Sequence, residues 1–245
     1  TSATATYTSA QQTTDFGAAQ TTLYLKIYQI GAIAGRGYPL VSSLPRRPST
    51  RLLMHGNGDN NGTIFTDEAG NAITPSGGLV TANDVAPVFG SAALKFNGSN
   101  AYFSVPSNFG VFGDFTIEFW RRGGFTGCYF SHPSNGTYFY NNYAYLNNVE
   151  VITNASMPSS ATIWRHVAFV RKSGSVTLYV DGAVCGTGSY AGAVDLSSLN
   201  FGRYAPGNNF YLSGHLDEIR ITDRAIYTEP FTPPTSEFQI FTGAV

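Results

Sequence analysis

Asp217 and Glu218 stand side by side in GHLDEIRIT at 214–222, and paired carboxyl groups are the working parts of glycoside hydrolysis. A retaining enzyme needs its two carboxyls on one face, about 5–5.5 Å apart. Neighbours on a strand face opposite ways, so this pair is excluded. Glu118, Glu150, Asp181 and Asp195 each stand alone in the sequence. No Ser-His-Asp arrangement, phosphate loop or His/Cys cluster with metal-ligand spacing is present. The residues that do gather are aromatics and amides, in YFYNNYAYLNN at 138–148. Tyr138, Tyr140 and Asn142 share one strand parity, and Tyr143 and Tyr145 the other. Tyrosine rings stack on the apolar faces of sugars while amides bind hydroxyls, so these five are the candidate glycan contacts. Asn208-Asn209-Phe210-Tyr211 is a second such cluster. The competing reading is packing between strands or at a subunit interface, where Tyr is also enriched. Trp120 and Trp164 read as face-packing residues. Arg46-Arg47 and Arg121-Arg122 read as solvated surface.

The elements that must position these residues are short strands. Phe115, Ile117 and Phe119 alternate with Thr116, Glu118 and Trp120, a half-buried strand. From 164 to 171, Val167 and Phe169 occupy one face and Ala168 and Val170 the other. Both faces are apolar, which places that strand centrally. Val176, Leu178 and Val180 alternate up to a tight Asp181-Gly182 turn. Leu94-Lys95-Phe96 and Ala101 to Val105 flank Asn97-Gly98-Ser99-Asn100 and predict a hairpin. Ile219 and Ile221 put Asp217 on their own face by parity. No segment has helical periodicity over eleven residues. Evenly spaced short strands with turns between them predict an all-β sandwich or jelly roll.

Composition agrees. The chain has 245 residues, 12% charged and 14% aromatic, with a net charge of −1. That balance gives no electrostatic reason for a nucleic acid or anionic membrane partner. No apolar run reaches the ~18–20 residues of a membrane span. The N-terminus lacks the basic region and apolar run of a secretory leader. Cys128 and Cys185 read as two thiols rather than a bridge. Sequons at Asn61, Asn97, Asn135 and Asn154 are expected by chance in so Asn-rich a chain.

Two domains are expected. Residues 1–50 form an N-terminal β-arm and linker. Within it, Leu23, Leu25 and Ile27 alternate with Tyr24, Lys26 and Tyr28, and a second strand runs from Tyr38 to Leu44. Two or three strands are not stable alone in water, so the arm must pack on something. Residues 51–245 form the main domain.

The order of five segments resembles the laminin-G-like, concanavalin-A-like jelly-roll domains, in the style found in bacteriophage virion proteins. They are LLMHGNGDNNGTIFTDEAGN (52–71), ALKFNGSNAYFSVP (93–106), GDFTIEFWRR (113–122), WRHVAFVRKSGSVTLYVDGAVCGTG (164–188) and GHLDEIRITDRAIYTEPFTPPTSEF (214–238). The arm segment YLKIYQIGAIAGRGYP at 24–39 is similar to those preceding such domains in phage tail proteins. Tyr24, Ile27, Tyr28, Arg36 and Tyr38 are therefore candidate assembly contacts. The resemblance implies a two-sheet antiparallel sandwich that binds glycans or proteins rather than catalysing. It implies a place on the exterior of a virion, as a homo-oligomer, with other virion proteins held through residues 1–50 and a host-surface polysaccharide as partner. Pure capsid or tail decoration, or a secreted bacterial carbohydrate-binding module, are the alternatives. A β-glucan-hydrolysing relative carries Glu-x-Asp-x-x-Glu on one strand, which this chain lacks. Relatives also hold a structural calcium between an acid at the position of Asp217 and one in the loop His55-Gly56-Asn57-Gly58-Asp59. Here Asn57 offers one neutral oxygen, and Asp59 would compensate. A buried carboxylate needs some partner. The residues themselves leave open calcium, an arginine or backbone amides, with the metal-free carboxylate as default.

Overall fold

The computed structural model describes residues 22–27, 30–31, 35–36, 40–45, 49–123, 127–158 and 161–241. They contain strands and turns and no helix, so no helix is long and apolar enough to cross a membrane. The chain divides into two compact units, 1–49 with 241–245, and 50–240. In the first, β1 (Thr22–Ile27) pairs antiparallel with β4 (Leu40–Pro45), and β2 (Ile30–Gly31) with β3 (Gly35–Arg36). Tyr28 and Tyr38 lie outside the described residues, as do Arg46, Arg47 and the side chains of Tyr24, Ile27 and Arg36.

The second unit is the antiparallel sandwich expected from the sequence. Its larger sheet holds β5 (Thr50–Met54), β7 (Val80–Ala82), β8 (Ala93–Asn97), β11 (Phe115–Gly123), β16 (Arg165–Lys172), β17 (Ser175–Val180), β18 (Ala183–Ser189) and β21 (Ser213–Thr222). The order is β18-β17-β16-β11-β21-β8-β7, with β5 also on β21. The smaller sheet holds β6 (Thr74–Ser76), β9 (Tyr102–Ser104), β12 (Cys128–Ser131), β13 (Tyr138–Tyr140), β14 (Tyr143–Leu146), β15 (Val149–Ile152) and β20 (Asn200–Phe201). Its order is β15-β14-β13-β12-β20-β9-β6. A short ribbon pairs β10 (Val111–Phe112) with β19 (Val194–Asp195). Alternate residues of both sheets meet between them. Phe169 of the larger sheet faces Phe130 and Phe139 of the smaller, with ring centroids 5.9 and 6.2 Å apart. Each such buried ring contributes about 1.5–3 kcal/mol over its exposed state.

β16 is central and apolar on both faces, as its sequence requires. Val167 and Phe169 enter the interior. Ala168 and Val170 join Tyr179 in a second cluster, on which Ala225, Tyr227 and Phe231 of the C-terminal tail pack. The tail therefore packs on the centre of the outer face of the larger sheet. Asp181 and Gly182, at φ of 51° and 78°, make the expected turn into β18.

Four expectations are corrected. Residues 93–105 are not a hairpin, because β8 pairs in the larger sheet and β9 in the smaller. Oδ1 of Asn97 accepts the N–H groups of Ser99, Asn100 and Ala101 and turns the chain from one sheet to the other. Asp217 does not share the face of Ile219 and Ile221. Trp120 opposes Asp217 and Glu118 opposes Arg220, so Phe119 faces two residues, Glu218 and Ile219. This bulge, with Glu218 at φ 52°, resets the parity. Leu216, Ile219 and Ile221 thus all reach the interior. Arg121 is not solvated but 1% exposed. It lies on the core parity of β11, and its Nη2 donates to the carbonyl of Pro158 at 2.8 Å. Glu118 does not stand alone either. It is fully buried on the outer face, bonded to Arg220, His166 and Tyr227.

Candidate functional site

The tyrosine segment is a hairpin, which changes what its parity means. Asn141 and Asn142 form a two-residue turn, with Asn141 at φ 55°, a conformation asparagine tolerates. Tyr138 then lies opposite Tyr145 and Tyr140 opposite Tyr143, while Phe139 and Ala144 pair beneath them in the core. All four tyrosines are gathered on the outer face of the smaller sheet.

The loop from 202 to 212 folds onto the same face. Leu212 N–H bonds Gly202 O at 2.9 Å, and Tyr204 and Asn209 exchange both backbone bonds. Gly202, at φ 95°, lies where a Cβ would sit 2.3 Å from the Phe96 ring, so only glycine permits this entry. The loop lays Tyr204 edge-on against Tyr138 at 5.2 Å and Phe210 against Tyr140 at 4.8 Å. Tyr138 also stacks on Tyr145 at 4.6 Å. Tyr138 is thus spent on packing between Tyr145 and Tyr204, as the competing reading expected for these rings. The open end of the cluster is different. Phe210 is 50% exposed. Tyr143 has no ring partner among the described residues, and its hydroxyl is held by Oδ1 of Asn154 at 2.5 Å. The side-chain amide of half-buried Asn142 has no hydrogen-bond partner among the described residues. Tyr145 donates to Glu150 at 2.8 Å. That bond raises the Tyr145 pKa, and bonds from Thr153 and Tyr145 lower that of Glu150.

The other half of this face carries no pattern along the chain. Asn200 lies on it, and its Oδ1 takes the Ser104 hydroxyl at 3.2 Å and Nε of Arg203 at 3.0 Å. The Arg203 guanidinium lies over the Tyr102 ring, 3.5 Å from its centroid. Cys128 is buried beside Tyr140 and both cysteines are free. Burial pushes the Cys128 and Cys185 thiols up, so neither is poised to react.

Around Asp217 the geometry answers the carboxylate's need with backbone. Its Oδ2 accepts Val88 N–H at 3.0 Å and its Oδ1 accepts Glu218 N–H at 2.9 Å. Oδ1 of Asn57 takes Ser91 N–H at 2.7 Å, and its Nδ2 donates to Glu237 at 3.1 Å. Asp59 contributes its carbonyl, not its carboxylate, to the loop, binding the Thr81 hydroxyl at 2.6 Å. N–H donors thus lie on the oxygens of Asp217 and Asn57. His55, Glu218 and Glu237 do bring ligand atoms within 4.8 Å of one another. Their own bonds close that group, since the Glu218 oxygens take His55 Nδ1 at 2.7 Å and Phe238 N–H at 2.5 Å. Trp164 donates to Ala86 O at 2.8 Å, and Trp120 packs edge-on to Phe89 and His166, so both are packing residues.

Two antiparallel sheets around one aromatic core, with the C-terminal tail packed on the outer face of the larger, define a concanavalin A-like sandwich. Residues 97–229, more than half of the chain, match the concanavalin A-like lectin/glucanases superfamily, and the chain belongs to it. No curated protein sequence matches the chain. Domain 4 of AbnA, an extracellular GH43 arabinanase from Geobacillus stearothermophilus, solved with arabinotriose, shares the fold. Its TM-score is 0.52 at 18% identity, over 73% of this chain and 95% of that one. The receptor binding domain of botulinum neurotoxin type G has a TM-score of 0.53 at 14% identity. The match covers 73% of this chain and about half, 49%, of the toxin domain.

Proposed function

We propose that this chain binds carbohydrate without cleaving it, through the outer face of its smaller sheet. The observation that carries this reading is the gathering of Tyr138, Tyr140, Tyr143, Tyr145, Tyr204 and Phe210 on one sheet face that the tail leaves open. Tyr140, Tyr143, Phe210 and the Asn142 amide are the contacts, and Tyr138, Tyr145 and Tyr204 are the buttress behind them. The arabinotriose complex of the arabinanase domain supports carbohydrate as the ligand class. The order of the sequence segments supports a setting on the exterior of a bacteriophage particle. There residues 1–50 would dock to other virion proteins, the domain would repeat as a homo-oligomer, and the open face would meet host-surface polysaccharide. Printing the full chain and its Tyr143→Ala and Tyr140→Ala variants against host polysaccharide tests the reading. Saturable binding by the parent, lost at least tenfold in folded variants, supports it. Equal binding by all three ends it, and no binding by the parent leaves the decoration role in its place.

A further inference from the structure

Arg203 differs from the three described arginines that hold a carboxylate. Arg165, Arg171 and Arg220 each reach a carboxylate, on Asp181, Asp114 and Glu118, at 2.6 to 3.2 Å. Arg203 reaches none within ion-pair distance among the described residues. Its Nε and Nη1 are tied instead to the neutral amide oxygens of Asn200, at 3.0 Å, and Asn208, at 2.5 Å. Asn208 is itself fixed by the Tyr211 hydroxyl at 2.8 Å. The guanidinium lies 3.5 Å from the centroid of the Tyr102 ring, an arrangement that orients a cation without neutralising it. A guanidinium has five N–H donors. Two are used, and the rest have no hydrogen-bond partner among the described residues.

From this we infer that Arg203 is an anion-recognising subsite at the edge of the aromatic face, and that the sugar bound there is acidic. This rests on the carbohydrate-binding reading above and adds the charge class of the ligand. The pieces have separate tasks. Tyr140, Tyr143 and Phe210 take the apolar face of a sugar ring. Arg203, over Tyr102 on β9 and three strands from Tyr140 on β13, pairs with a carboxylate further along the glycan. A planar fork held flat suits the bidentate geometry of a carboxylate. Its positioning groups Asn200, Asn208 and Tyr102 add no charge of their own. A ligand built from neutral sugars would leave the fork with water alone.

The test is a printed array of neutral, uronate-bearing, sialate-bearing and sulfate-bearing glycans, probed with the full chain, Arg203→Gln, Arg203→Lys and Tyr143→Ala. The parent is expected to prefer a carboxylated glycan over its carboxyl-reduced counterpart by about tenfold, the value of one charge-assisted bond. Arg203→Gln should erase that preference while binding the reduced glycan within twofold of the parent. Arg203→Lys should keep part of it, through charge without the fork. A merely structural role for Arg203 would release the 202–212 loop and weaken acidic and reduced glycans alike, which overturns the proposal. Preference for sulfated glycans over carboxylated ones replaces the carboxylate as the ligand and overturns that assignment. If the parent binds neutral glycans as tightly as carboxylated ones, in a Tyr143-dependent way, this inference falls and the carbohydrate-binding reading stands. If it binds nothing on the array, both fall.

Discussion

The hydroxyl of Tyr227 donates to Oε2 of Glu118 at 2.8 Å, joining the C-terminal tail to the buried centre of the larger sheet. Arg220 holds the other oxygen at 2.8 Å, and Nε2 of His166 approaches Oε2 at 3.1 Å. Burial by itself pushes the Glu118 carboxyl up, but His166 and Arg220 outweigh it and hold it below the usual carboxylate range. A carboxylate lowered in the fold stabilises above its unfolded value near 4.5, and that stability is lost as pH falls through the folded value. Two substitutions separate the contributions. Tyr227→Phe removes one donor and should cost about 1–3 kcal/mol. Arg220→Met leaves the carboxylate buried without its cation and should cost about 3–5 kcal/mol. Urea unfolding at pH 7 gives both values, and an equal cost for the two would show that Arg220 does not carry the charge.

Gly182 tests the tail from the other side. Its carbonyl accepts Phe231 N–H at 3.0 Å, and a Cβ on it would lie 1.7 Å from Phe231 O. Gly182→Ala must both strain a φ of 78° and lift the tail. A loss of about 2–4 kcal/mol is expected, with new protease cleavage near 225–238. A variant as stable as the parent would mean the tail does not seal this face.

Asp217 predicts a pH dependence. Burial pushes its carboxyl up to about 8 and the charge of Glu218 adds to this, while N–H groups of Val88 and Glu218 offset only part. Between the ordinary 3.8 and this folded value, the unfolded chain has given up the proton and the folded one keeps it. Stability contributed by the group therefore falls as pH rises through that window. Asp217→Asn cannot ionise, so its stability relative to the parent should rise from pH 4 to pH 8, on the order of 3 kcal/mol. Parallel pH profiles for the two proteins would show that Asp217 is ionised in the fold. A parent whose melting temperature rises in excess calcium over chelator would show an ion taking the place of the proton.

The residues differ in how openly the sequence announces them. The two-faced apolar strand at 165–172 and the Asp181-Gly182 turn are local signals, complete within a few residues, and they hold. The bulge at Asp217 and Glu218 is not local, because it exists only against β11, which lies about a hundred residues earlier. Parity counted along β21 alone places Asp217 on the wrong face. The tyrosine hairpin was hidden for another reason. Its turn is Asn141-Asn142, the same residue type as the candidate binding amides, so the turn reads as part of the platform. Arg203 and Tyr204 carried no pattern, since it is the return of the loop at Leu212 that sets them on the sheet.

Phe210 offers the sharpest separation of stability from binding. It holds φ at 49° while half exposed, a conformation costly for a bulky residue. The loop tolerates that strain although burial returns little, since the exposed part of the ring faces solvent. Backbone bonds fix the conformation, with Cys128 N–H donating to Phe210 O at 2.9 Å. Asparagine adopts the same φ with less strain. Phe210→Asn should therefore stay within about 1 kcal/mol of the parent in stability, with strain relief offsetting the lost contact to Tyr140. Glycan binding should fall at least tenfold, since the most exposed ring of the cluster is gone. Denaturant unfolding and a binding isotherm on the same sample read both. A variant destabilised by several kcal/mol would make Phe210 a packing residue. Undiminished binding in a stable variant would take it out of the ligand contacts.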